Sequence, residues 1–215
     1  MDGVCSFAED TTFLVGFTLM TASKILGDDL RKCDHPTQSA NLMKPSPVLT
    51  VACVALPASF SSKKGLEIVV MELSENRFEQ LVEMYDHFEP KRAAQGLPPT
   101  GLDRIISWLD HLQKTGHNLV ALYRKQLIGH AMLCPVNPTR AEFAIFIQQD
   151  FRNQGIGTKL TEVMLEFARG KGYRRIWLSV EVNNLAAIRV YKKLGFHTRD
   201  LFGPEQEMEI CFAEC

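Results

Sequence analysis

Residues Phe151 to Leu160 read FRNQGIGTKL, which brings one guanidinium, two amides and two glycines into a single short run. The run lies between the apolar stretch FAIFI and the helical pattern TEVMLEFARG, so it reads as a strand-to-helix junction. The first backbone N–H groups of a helix have no partner within it and carry the positive end of its dipole, which makes such a junction a cradle for an anion. Gly155 and Gly157 let backbone and anion come close, the N–H groups of Asn153, Gln154, Gly155, Ile156, Gly157 and Thr158 are the expected donors, and Arg152 offers a charge-assisted contact. Two other phosphate loops fit poorly. A dinucleotide fingerprint needs a third glycine where Leu160 stands, and GIGTK does not spell a Walker A loop.

A second constellation follows in VNNLAAIRVYKKLGF, where Asn184 and Tyr191 stand two helical turns apart on a predicted helix closed by Gly195.

The elements that position these residues become regular from Gly65 onward. GLEIVVMEL predicts a strand. ENRFEQLVEMYDHF predicts a helix with Phe78, Leu81, Val82 and Tyr85 at helical spacing and Ser74 as N-cap. FEPKRAAQGLPPTG, with three prolines and two glycines, predicts a loop, after which Leu102, Ile105, Ile106, Leu109 and Leu112 mark one side of a second helix. NLVALYR and LIGHAMLC predict a hairpin, and AEFAIFI the next strand. A helix from about Gly157 to Gly170 carries Leu160, Val163, Met164 and Phe167 as its core stripe. RRIWLSVEV, AAIRVYKKL, FHTRDLF and EQEMEICF then predict strand, helix, strand and strand. The order β-α-α-β-β-β-α-β-α-β-β implies an α/β (α+β) fold with a mixed sheet flanked by helices. Residues 1–64 read as a separate N-terminal extension, with a helix in MTASKILGDDLRK, a loop in PTQSANLMKPSP, a strand in VLTVACVAL and a linker in ASFSSKKG. No chemistry-bearing motif falls in it, and residues 65–215 form the expected functional domain.

The segment Ala141 to Phe196 resembles the GNAT-type N-acetyltransferase superfamily, through the turn RNQGIG and the ending N-x-x-A-x-x-x-Y-x-x-x-G-F at the right separation. In element order the resemblance extends from about Glu67 to Phe212. It implies the GNAT fold, with a twisted, mostly antiparallel sheet, and acetyl-CoA as co-substrate, its pyrophosphate on the glycine turn. It also implies that the strand before the turn splays from its neighbour, so that backbone groups near Ile145, Phe146 and Ile147 pair with the pantetheine amides, and a backbone N–H there stabilises the developing oxyanion. Asn184 matches a position that binds CoA, and Tyr191 the position that protonates the departing sulfur; packing of the Tyr191 ring on the sheet is the alternative.

An amine attacks a thioester only when neutral, so a proton must be accepted. Glu142 and Glu181 are the candidate bases, with a water chain as the third route. The family position near Glu142 falls on Ala141, one residue away and on the opposite sheet face. The position on the following strand falls on Ser179, with Glu181 two residues later. His87, Glu89, Lys91 and Arg92 lie in the region that lines the acceptor groove in this family, and read equally as solvent-facing residues. His117 and His130 read as structural.

Composition narrows the partners. The chain of 215 residues has 24 basic and 25 acidic residues, a net charge of −1 that gives no reason to expect nucleic acid. Cys5, Cys33, Cys53, Cys134, Cys211 and Cys215 form no C-x-x-C pair, so no metal site is expected and reduced thiols in the cytoplasm are the simplest reading. FLVGFTLM is too short to span a bilayer and follows Glu9 and Asp10, so no membrane association is expected. The partners are acetyl-CoA and an amine acceptor, small molecule or protein, and a homodimer is compatible with the sequence. Beside the N-acetyltransferase stands a non-catalytic acyl-CoA-binding sensor of the same fold.

Overall fold

A computed structural model describes residues 54–90 and 98–212. They belong to the second of two units into which the chain divides, Met1–Pro47 and Val48–Cys215. The helix and loop expected in the extension, most of its strand, and Lys91 and Arg92 lie outside the described residues.

Among the described residues, eight strands form one sheet: β1 (Ala58–Ser61), β2 (Glu67–Glu72), β3 (His117–Tyr123), β4 (Gln126–Asn137), β5 (Arg140–Ile147), β6 (Arg175–Glu181), β7 (His197–Phe202) and β8 (Glu205–Cys211). Their spatial order is β1-β2-β3-β4-β5-β6-β8-β7, and every neighbouring pair is antiparallel except β5 and β6. The described residues include four α-helices that connect them: α1 (Phe78–Asp86), α2 (Leu102–Thr115), α3 (Ile156–Gly170) and α4 (Leu185–Lys193). Among the described residues no helix is long and apolar enough to cross a membrane.

The expected order is present, with one strand added. Ala58–Ser61, read from its Ser/Lys composition as linker, pairs with β2 from Ala58↔Val70 to Ser61↔Glu67. The polar composition belongs to the hairpin turn, where the Ser62 hydroxyl accepts the N–H groups of Lys64 (3.3 Å) and Leu66 (3.1 Å). Leu102 and Ile106, expected on the buried side of α2, are 50% and 39% exposed, while Ile105, Leu109 and Leu112 form its core contact. Ser74 precedes a 3-10 turn, Glu75–Arg77, and its side chain does not cap it.

Strand alternation sorts the core into two layers. On one face Ile68, Leu119, Leu133, Phe143, Ile176 and Met208 meet α3 and α4 through Leu160, Met164, Ile188 and Tyr191. On the other, Val120, Leu122, Met132 and Phe146 meet α1 and α2 through Leu81, Met84, Ile105 and Leu109. Helix α4 ends in a Schellman motif: the Phe196 N–H donates to Tyr191 O (3.0 Å), the Gly195 N–H to Lys192 O (3.1 Å), and Gly195 has φ 96°. The ring of Phe196 closes on that of Tyr191 at 5.6 Å, which fixes the orientation of Tyr191.

Candidate functional site

The feature that opens a site is the parting of β5 from β6. These strands pair only through Arg140↔Arg175, Ala141↔Ile176 and Glu142↔Trp177, whereas β5 stays paired with β4 as far as Ile147. The Gln148 N–H donates to Ile128 O (2.9 Å), and the register is unbroken from Glu142 to Ile147. Alternation of an antiparallel ladder then turns the peptide groups of Phe143, Ile145 and Ile147 toward the gap and those of Phe146 toward β4. Phe146 thus departs from its expected role beside Ile145 and Ile147. Its backbone is held in the sheet, and its ring packs against Tyr85, Phe88 and Trp108 at 5.5, 5.6 and 6.2 Å.

The glycine turn stands beside this gap. Asn153 (φ 61°) and Gly155 (φ 82°) are left-handed, which reverses the chain so that α3 begins at Ile156. The first helical bond is Lys159 N–H to Gly155 O (3.1 Å), leaving the N–H groups of Ile156, Gly157 and Thr158 without intrahelical acceptors. Gly155 and Gly157 serve different needs. A Cβ on Gly157 would meet only Ile147 Cγ1, at an ordinary 3.7 Å, so the protein's own packing does not require a glycine there, although close approach of a ligand would.

The side chains of the turn are committed differently from the expectation. Arg152 donates through Nε to Ile147 O (2.8 Å) and through a second nitrogen to Glu89 O, with its guanidinium 4.9 Å from the Phe88 ring centre. It is a strap between the turn and the segment after α1 and is not directed at an anion; burial lowers its pKa, opposed by Glu89. Gln149 reinforces the strap, donating to His87 O (3.0 Å) and accepting from the Glu89 N–H (3.3 Å). Gln154 is 3% exposed and braces the turn by donating to Asp150 O (3.0 Å), and the Ile156 side chain is core. Lys63, part of the stretch that reads as linker in the sequence, joins the turn from the β1–β2 hairpin. Its N–H donates to Gln154 O (2.9 Å), and its aliphatic stem runs beside Gly155.

Tyr191 lies on the α3/α4 face, its ring 6.3 Å from that of Phe143 on β5. Burial pushes its hydroxyl well above the ordinary tyrosine value, so it stays protonated through the neutral range. Asn184 caps α4, its side-chain oxygen accepting the Ala187 N–H (3.2 Å).

Glu142 projects on the face that carries α1 and α2, since it pairs with Cys134 and Trp177. It is 8% exposed, and burial raises its pKa to about 8, with Glu207 adding to the shift and Arg140 opposing it. Pairing across β6 and β8 sets Trp177 by Glu209, Ser179 by Glu207 and Glu181 by Glu205, so carboxylates from three strands share one face. The Ser179 hydroxyl donates to Glu205 (2.6 Å). Trp177 Nε1, Arg140 Nε and Glu209 Oε1 are buried without a hydrogen-bond partner among the described residues. Cys134 is raised to about 12 by burial, with Glu142 adding to it, which leaves it an inert thiol. The alternation E-x-E-x-E in EQEMEICF was the available signal for this acidic face, but not for the residues it opposes.

His130 and His117 are structural, as expected. His130 is wholly buried between the Tyr85 hydroxyl (2.8 Å to Nδ1) and Asn118 Oδ1 (3.0 Å to Nε2), which makes Nε2 the protonated nitrogen and Nδ1 the acceptor. His117 Nε2 lies 3.2 Å from the Tyr173 hydroxyl.

Known proteins share the sequence pattern and the fold of this chain. The sequence model described as the Acetyltransferase (GNAT) family matches residues 78–196, more than half of the chain. N-alpha-acetyltransferase 30 of Schizosaccharomyces pombe is 35% identical over 85 residues, 37% of this chain and 56% of that protein. The chain covers 21% to 56% of the length of such curated relatives. Among solved structures, the GNAT domain of S. lividans PAT has a TM-score of 0.63 at 19% identity, covering 72% of this chain and 96% of that one. A putative acetyltransferase from Salmonella typhimurium, solved with its cofactor acetyl-CoA, has a TM-score of 0.56 at 19% identity, covering 69% and 95%.

Proposed function

Because the chain belongs to the acetyltransferase (GNAT) family, we propose that it transfers the acetyl group of acetyl-CoA to a primary amine by direct attack within a ternary complex. The observation that carries this reading is the parting of β5 and β6 after Glu142↔Trp177, beside a helix N-terminus with free N–H groups. A thioester carrier with an amide-bearing arm and a pyrophosphate needs both features at once. The arm takes the strand position that β6 vacates, pairing with Ile145 and with the Ile147 N–H, and the pyrophosphate sits on the N–H groups from Asn153 to Thr158. Lys63 supplies the nearby cation, since Arg152 is bound within the protein.

Tyr191 is the proton donor to the departing sulfur. Its hydroxyl is kept neutral by burial on the α4 side of the gap. The amine enters from the other face, where Glu181 and the carboxylates of β8 favour a cation. We place the reaction in the cytoplasm, in keeping with six cysteines scattered along the chain without a C-x-x-C pair.

Acetyl-CoA is expected to raise the melting temperature, whereas ATP and NAD are not, and thiol release across a panel of amines tests turnover. A thermal shift without thiol release for any amine would move the reading to an acyl-CoA-binding sensor. Gly157→Val should weaken acetyl-CoA binding about 100-fold, roughly 2.7 kcal/mol, with the unliganded fold kept. An unchanged affinity would remove the turn from the site.

A further inference from the structure

Attack on a thioester requires a carboxylate, or another base, that is ionised near neutral pH and stands where the amine arrives. Glu142 does not meet the first condition. With a pKa of about 8 it is roughly nine-tenths protonated at pH 7, because burial and Glu207 both disfavour its charge. A different carboxylate is delivered to the free lip of the gap.

Strands β5 and β6 separate after Glu142↔Trp177, so Ser179 is the first residue beyond the split whose side chain lies on the amine face. Ser179 does not stand there alone. Its hydroxyl donates to Glu205 Oε2 at 2.6 Å, across 26 residues of sequence. Glu205 is half-buried and begins β8 directly after the Gly203–Pro204 turn, and that turn is fastened to β6 by the Val182 N–H donating to Pro204 O (2.9 Å). The carboxylate is therefore held at both ends, by its backbone through the hairpin and by its head through Ser179.

We propose that Glu205, positioned by Ser179, is the base that accepts the proton of the incoming ammonium. The inference rests on the acetyl-transfer reading above and names the residue that reading leaves open. In the step, R–NH3+ gives one proton to the Glu205 carboxylate. The nitrogen lone pair forms the C–N bond at the thioester carbonyl carbon, and the C–S bond breaks with its electron pair on sulfur. The sulfur takes the Tyr191 proton, which solvent restores. The second amine proton leaves as the amide forms, and Glu205 returns its proton to water. Each turnover converts R–NH3+ and acetyl-CoA to R–NHAc, CoA–SH and one H+. Glu205 shares its face with Glu181 of β6, Glu207 of its own strand, Glu142 of β5 and Asp200 of β7.

The test compares Glu205→Gln, Ser179→Ala and the double variant Ser179→Glu/Glu205→Gln by thiol release with the best amine of the panel, from pH 5.5 to 9, and by acetyl-CoA thermal shift. Glu205→Gln should lower kcat/KM about 100-fold while keeping the thermal shift. Ser179→Ala should cost about tenfold, because the carboxylate is present but no longer aimed. The double variant should recover most of the activity, since it places a carboxylate on the lip directly. Retained turnover in Glu205→Gln overturns this assignment and leaves acetyl transfer standing. Failure of the double variant to recover, with its thermal shift intact, also overturns it. A wild-type chain that binds acetyl-CoA but acetylates no amine overturns both.

Discussion

One sheet face behaves differently on the two sides of β5. Over β3, β4 and the end of β5 it is a closed layer under α1 and α2, and the apolar cluster there draws no residue from β6 or β8. His130 lies in that layer at 0% exposure with both ring nitrogens bonded. Past β5 the face carries Glu142, at 8% exposure, beside Glu207, with the Trp177 indole nitrogen buried without a hydrogen-bond partner among the described residues and a buried Glu209 oxygen 3.9 Å from Arg140 Nε. Burial displaces the pKa of both titratable groups, so burial does not distinguish them. Their partners do. A buried polar group whose valences are all met serves the fold, whereas one pressed against like charge is a store of proton affinity that other groups can draw on.

The largest expected effect on this contrast concerns His130. Its pKa falls from 6.5 to about 3 on burial, so the folded state releases a proton that the unfolded state keeps. The sign follows: the stability it protects is present above pH 6.5 and is lost as pH falls toward 3. His130→Asn removes that titration. The stability gap between wild type and variant, measured by urea unfolding, should shrink by about 3 kcal/mol from pH 7 to pH 4. A gap independent of pH would mean that the histidine titrates freely. Tyr85→Phe is the next in size. It leaves His130 Nδ1 as a buried acceptor without a donor, at a cost of about 2 kcal/mol at pH 7. A neutral outcome would mean that water enters the layer and that it is not closed.

How much of this was legible in the sequence follows the same line. The glycine turn and α3 are local, and apolar periodicity from Leu160 to Phe167 places them without knowledge of the rest. The destinations of side chains across strands are not local. Phe146 reads as a site residue until the register with His130 assigns its peptide to β4. Arg152 reads as an anion ligand until the end of α1 brings Glu89 O to it. The three carboxylates of EQEMEICF share a face in any strand, but only pairing with β6 shows that one of them meets Ser179. ASFSSKKG reads as linker because a hairpin turn and a linker draw on the same residues, and the partner strand decides between them.

The smallest effect belongs to Glu142, and its sign is opposite to that of His130. Its pKa rises from 4.5 to about 8 on folding, so the folded state holds a proton that the unfolded state has lost. The stability contributed is complete below pH 4.5 and disappears as pH rises through 8. Between pH 7 and pH 9 the wild type should lose about 1 kcal/mol through this group. Glu142→Gln keeps the shape, cannot ionise, and should hold its stability over that interval. Over pH 4 to 7 the titrations of Glu142 and His130 nearly offset one another, so the wild type alone shows little slope there and the two variants are needed to separate them. If Glu142→Gln instead lost stability in parallel with the wild type above pH 7, the carboxyl would be ionised by then. The two sides of β5 would in that case differ in charge alone, without a difference in proton affinity.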